Sequence, residues 1–197
     1  MQRNLITAVV TVIACSIMTH AGSVSGVVRA GSPGSSIVYL ESANASPQPV
    51  AVTSKPYIMS QQRMKFTPRI LAVPVGATVV FKNEDSPAHN VFWPSVGGDK
   101  KLAHNLGTFL SGQQRSYQFD HPGIAPLLCN VHPEMEGFII VSSTPYYAES
   151  DEVLGLYKMG NVPDGQYKAI AWHAGKKIAS KIISVHGDAT VDFDLTH

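Results

Sequence analysis

Cysteine is almost missing from this chain: Cys15 and Cys129 are the two in 197 residues. That excludes a disulfide-built scaffold, and once residues 1–21 are removed Cys129 has no partner to pair with. Long apolar runs are missing as well. Leu5 to Met18 comes nearest, and it falls short of the ~20 residues a membrane-spanning helix needs. Surplus charge is also missing. Arg3 is the one charge in residues 1–21, so the remainder carries 14 basic residues (15 less Arg3) against 14 acidic ones. Without a basic surplus, nucleic acid is not expected as a partner. No stretch shows the period of an amphipathic helix. No G-x-S-x-G, H-E-x-x-H or phosphate loop occurs, so the chain is not expected to be an enzyme.

Residues 1–21 read as an export signal, with Arg3 ahead of the apolar run and Thr19-His20-Ala21 as a small-residue cleavage site. Val12-Ile13-Ala14-Cys15 also resembles a bacterial lipoprotein box, in which Cys15 would carry lipid and tie the protein to a membrane. Both readings take the mature chain out of the cytoplasm. The expectation is an exported, periplasmic protein cleaved after Ala21, with a lipid anchor at Cys15 as the competing possibility.

What the chain does contain is β-strand punctuation. Its 16 Gly and 13 Pro separate short apolar runs, the pattern of an all-β protein built from hairpins. At 44% hydrophobic and 15% charged it is too apolar for disorder. Strands are expected at 25–31, 36–41, 50–54, 70–73, 78–83, 90–94, 113–119, 137–141, 156–159, 166–172, 178–185 and 190–195. Gly31-Ser32-Pro33-Gly34, 161–165 and 175–177 are expected as turns.

One stretch carries chemistry. Cys129-Asn130-Val131-His132-Pro133-Glu134-Met135 places a thiolate, an imidazole and a thioether at C-x2-H-x2-M spacing. His89, in Pro87-Ala88-His89-Asn90-Val91-Phe92, offers a second imidazole. Two imidazoles, one thiolate and a weak thioether form the ligand set of a blue-copper centre, since soft sulfur suits Cu(I) and imidazole suits Cu(II). Ligation would also protect a lone thiol in an oxidising compartment.

At these residues, from about Met64 to Val141, the chain resembles the cupredoxin family, in its plastocyanin and amicyanin branch. The short loop with Pro133 directly after His132 is most like amicyanin. The resemblance implies a Greek-key β-sandwich binding one copper ion, with His89, Cys129 and His132 as equatorial ligands and Met135 as the axial one. It implies that Asn90 ties the ligand loops together and sends its N–H to the Cys129 sulfur. Loops of that branch usually carry Pro two residues after the Cys. Here Val131 stands there, so a second N–H···S bond from Val131 is expected. The implied function is one-electron transport to a redox partner such as a cytochrome or a periplasmic oxidoreductase. The alternative is a module that stores, delivers or senses copper.

A second resemblance lies outside this segment. Val162-Pro163-Asp164-Gly165-Gln166-Tyr167, followed by an alternating strand, resembles the transthyretin-like module of carboxypeptidase regulatory domains. That module opens with a G-x-V strand, a Pro/Gly turn and a V-x-L strand, which here sit at residues 26–41. The expected architecture is therefore nested. Residues 22–42 and 145–197 form one small β-sandwich, and a cupredoxin at 43–144 is inserted between them. The alternative places residues 23–42 inside the copper sandwich. Glu84, Asp85, Glu134 and Glu136 flank the ligand loops and are candidates for steering a basic partner. His104 reads as a loop residue, His121 as a turn residue and His173 as a surface or structural one.

Overall fold

The computed structural model describes residues 21–43, 55–173 and 177–196. Residues 1–20 of the expected signal segment, Cys15 among them, the strand expected at 50–54 and most of the turn at 175–177 lie outside the described residues. Among the described residues every regular element but one short 3-10 turn is a strand. The first two are β1 (Ala21–Arg29) and β2 (Ser36–Ser42). A run of short strands follows: β3 (Tyr57–Gln61), β4 (Phe66–Thr67), β5 (Ile70–Pro74), β6 (Ala77–Asn83) and β7 (His89–Trp93). Next come β8 (His104–Phe109), β9 (Gln114–Phe119), β10 (Gly123–Leu128) and β11 (Glu136–Ser142). The last group is β12 (Tyr147–Glu149), β13 (Leu156–Pro163), β14 (Gly165–His173), β15 (Lys177–Val185), β16 (Ala189–Thr190) and β17 (Phe193–Asp194).

Four sheets stack as two sandwiches. In the central one, β5-β11-β10-β7-β8 faces β4-β3-β6-β9. Its inward residues, among them Met59, Phe81, Trp93, Phe119, Leu127 and Ile139, form one core. β6 shows the local logic, because its residues alternate buried and part-buried from Ala77 to Asn83, as a strand half-facing a core must. In the flanking sandwich, β12-β2-β14-β15 faces a sheet in which β1 pairs with β13 on one edge and with β16 and β17 on the other. Val24, Leu40, Tyr157, Ala169 and Phe193 are in its core. Val27 pairs with Leu156, so β1 joins strands from the far end of the chain and none from the central sandwich. Asp192 and Asp188 fasten it further, accepting from the N–H groups of Val27 and Ser23 at 2.9 Å each.

The two sandwiches share a third apolar layer. Ile70, Phe138 and Ile140 of the central sandwich meet Ile37, Tyr39, Ile170 and Trp172 of the flanking one. Phe138 and Trp172 pack edge to face with centroids 4.6 Å apart. This layer explains why β11 is buried on both faces after Glu136. Ile139 and Val141 point into the central core while Phe138 and Ile140 point out of it. A strand covered on both sides reads as an unbroken apolar run.

Candidate metal centre

The ligand loop closes by simple rules. β10 ends at Leu128, which pairs with Phe92 of β7, so Cys129 emerges beside the start of β7, where His89 lies. The chain then turns at His132-Pro133-Glu134-Met135, with the Met135 N–H donating to the His132 carbonyl at 3.0 Å. Pro133 occupies the second position of that turn, where its fixed φ is already correct. The turn carries Met135 back into the core, fully buried. Its outer side borders an open surface pocket of about 290 Å³ lined also by Phe66, Arg69 and Glu136.

His89, Cys129 and His132 meet here, their candidate ligand atoms all within 4.8 Å of one another. His89 and Cys129 are buried and His132 is partly exposed. The two imidazoles meet edge to face, with their Nδ1 atoms 3.0 Å apart. On its far side the His89 Nε2 lies 2.9 Å from Oδ2 of Asp85. A carboxylate there keeps the proton on Nε2 and leaves the Nδ1 lone pair facing His132 and the sulfur. Two imidazole nitrogens and a thiolate in a mostly dry pocket suit copper by donor chemistry.

Asp85 is more than a loop charge. Its carboxylate accepts the N–H groups of Arg63 at 2.6 Å and Met64 at 2.8 Å. Both residues hold left-handed backbone conformations, φ 55° and 57°, which aim consecutive N–H groups at one acceptor. Burial pushes the Asp85 pKa up, but the Met64 N–H, His89 and the Arg63 N–H outweigh it and hold the carboxyl below its ordinary range. Of the four carboxylates expected to steer a partner, Asp85 thus turns inward to His89. Glu136 pairs with Arg69 at 2.8 Å, while Glu84 and Glu134 stay exposed.

Asn90 ties the loops together. Its N–H lies 3.4 Å from the Cys129 Sγ, and its Oδ1 accepts from the Asn130 N–H, also at 3.4 Å. Val131 behaves differently from the sequence expectation. It is 46% exposed, and among the described residues the only N–H on the sulfur is that of Asn90. The Val131 position sits on the outer side of the loop, ahead of the turn that returns to the core. His104 stands apart from the centre: it pairs with Trp93 and stacks on Trp93 and Tyr117 at 5.3 and 4.6 Å.

Residues 53–142 match the family model of copper binding proteins, plastocyanin/azurin family. The matched stretch contains His89, Cys129 and His132, the candidate copper site. Amicyanin-alpha of Methylorubrum extorquens is 32% identical over 80 residues, which cover 40% of this chain and 66% of that protein. The chain thus matches just under two thirds of that relative's length. Among solved structures, a copper-containing nitrite reductase from Thermus scotoductus is 30% identical over 48% of this chain and 25% of its own, with a TM-score of 0.40. A Cu(I) amicyanin variant is 26% identical over 47% of this chain and 87% of its own, with a TM-score of 0.42. A purple cupredoxin from Nitrosopumilus maritimus is 26% identical over 44% of this chain and 99% of its own, with a TM-score of 0.39.

Proposed function

We propose that this plastocyanin/azurin-family domain holds one type 1 copper ion and carries single electrons between redox proteins outside the cytoplasm. The observation that carries the reading is the convergence of His89, Cys129 and His132 within 4.8 Å, with the Asn90 N–H on the sulfur. Met135 would supply a fourth, weaker donor in this reading; its complete burial at the end of the same short loop supports that role. Copper would supply the redox couple. The protein's part is to fix its donors. Asp85 sets the His89 tautomer, the core excludes water from the sulfur, and the exposed edge of His132 offers the shortest way out for an electron.

The wider organisation belongs to the same proposal. Residues 22–42 and 145–197 form one transthyretin-like module, and residues 43–144 form the inserted copper domain. The pairing of β1 with β13 and of β2 with β14 supports that division. The flanking module is a docking or scaffolding body, the partner is a cytochrome or a periplasmic oxidoreductase, and Cys15 is the point of any lipid anchor.

The test is the absorption spectrum of the copper-loaded, oxidised protein. An intense visible thiolate-to-copper band, lost in Cys129→Ser while the fold is kept, is the expected result. A hydroxyl is too hard and too weakly acidic to replace the thiolate. A colourless protein that binds only Cu(I) would replace electron transport with copper storage, delivery or sensing.

A further inference from the structure

Gln61 is out of place as a core residue. It ends β3 on the inward side, fully buried, in line with Met59. Its Nε2 donates to the main-chain carbonyl of Asn90 at 3.2 Å, reaching across from the opposite sheet. Its Oε1 is buried and has no hydrogen-bond partner among the described residues. An apolar side chain of the same size would avoid this unmatched acceptor, at the cost of the bond to the Asn90 carbonyl, so the amide brings no clear gain to packing alone.

The residue it holds is the one that matters to the sulfur. β7 slips register against β8 between Asn90 and Phe92, so Asn90 sits where the strand is least well fixed by its own ladder. It is secured instead at four points: N–H to Cys129 Sγ, Nδ2 to Asn105 Oδ1 at 2.9 Å, Oδ1 from the Asn130 N–H, and carbonyl from Gln61. Three of these are made by the ligand loops and the strand beside them. Gln61 is the one that comes from the other sheet of the sandwich.

We propose that Gln61 is a positioning residue for the copper centre: it clamps the Asn90 carbonyl so that the Asn90 N–H stays on the Cys129 thiolate. An N–H on that sulfur draws charge from it and disfavours Cu(II), which raises the reduction potential. Loosening Asn90 lengthens the N–H···S contact and lowers the potential without removing a ligand. The proposal rests on the type 1 copper reading, and its test separates the two.

The test uses Gln61→Met and Gln61→Leu in the full chain, with hydrogen exchange of the Asn90 amide followed in the metal-free and Cu(I)-loaded protein. Potential, copper stoichiometry and Tm are measured alongside. The expected result is Asn90 exchange faster by about tenfold, the equivalent of one ordinary hydrogen bond. The potential falls and copper stays at wild-type stoichiometry. Unchanged Asn90 exchange and potential would overturn the proposal, whatever happens to Tm. Failure of both variants to fold would overturn it too, by making Gln61 a structural residue. If the wild-type protein shows no thiolate-to-copper band, the copper reading fails, but Asn90 exchange in metal-free protein still decides the clamp.

Discussion

Among the described residues each sandwich buries one histidine, and the two are handled in opposite ways. His173, in the flanking sandwich, is 2% exposed and has a serine hydroxyl on each ring nitrogen, Ser36 on Nδ1 at 3.0 Å and Ser32 on Nε2 at 2.9 Å. His89, in the central sandwich, has a carboxylate on Nε2 and turns Nδ1 toward a second imidazole and a thiolate. Burial does not separate a ligand from a structural histidine. What separates them is whether the inner nitrogen faces a hydroxyl that can settle its hydrogen bond, or other metal donors that cannot all settle one another's.

Removing each imidazole tests this most severely. His89→Leu should abolish tight copper binding, a loss beyond the ~100-fold that removal of a ligand's outer partner typically causes. The protein should remain folded, because Asp85 keeps the Arg63 and Met64 N–H groups. His173→Leu should leave copper affinity and spectrum untouched while lowering stability by about 1–3 kcal/mol, the cost of stranding the buried Ser36 hydroxyl. Copper titration and urea unfolding of the two variants read both halves. Equal effects on copper would dissolve the distinction.

A gentler change targets the carboxylate. Asp85→Asn keeps the shape but removes the charge that fixes the His89 proton on Nε2. Copper affinity should drop by about 10–100-fold, with the thiolate band retained. Measured affinity equal to wild type would return Asp85 to the status of a loop residue that caps Arg63 and Met64. By contrast, the Arg69–Glu136 pair is solvent-exposed on both sides and should matter by no more than about 1 kcal/mol.

The legible and illegible parts of this chain divide by range. Cys129 and His132 could be read because the C-x2-H spacing sets both on one short loop, and His89 because the imidazole-then-thiolate order is part of the pattern; all three converge. β11 could be read as an apolar run and β14 as an alternating strand. β8 was not anticipated: its residues are polar or glycine except Leu106 and Phe109, and Gly107 has φ 78°, so no alternation marks it. Asp85 looked like a surface charge because its inward turn depends on Arg63 and Met64, more than twenty positions earlier in the chain. Gln61 left one faint sign, a polar residue at an inward position of a short alternating strand, whose meaning depends on Asn90 in the other sheet.

The smallest expected effect concerns the two sides of the sulfur. Asn90 gives its N–H to Cys129 while Val131, two residues along the loop, does not. A proline at 131 therefore removes a donor that the sulfur does not use. Val131 is exposed and its N–H takes no part in the His132–Met135 turn, so the turn at Pro133 should still form. Val131→Pro should leave the reduction potential, the thiolate band and the copper stoichiometry as they are, in contrast to the fall expected when Gln61 releases Asn90. Voltammetry of the two variants side by side checks the contrast. If Val131→Pro lowers the potential with its ligands intact, the loop tightens around bound copper until the Val131 N–H also reaches the sulfur, and the thiolate is held from both sides instead of one.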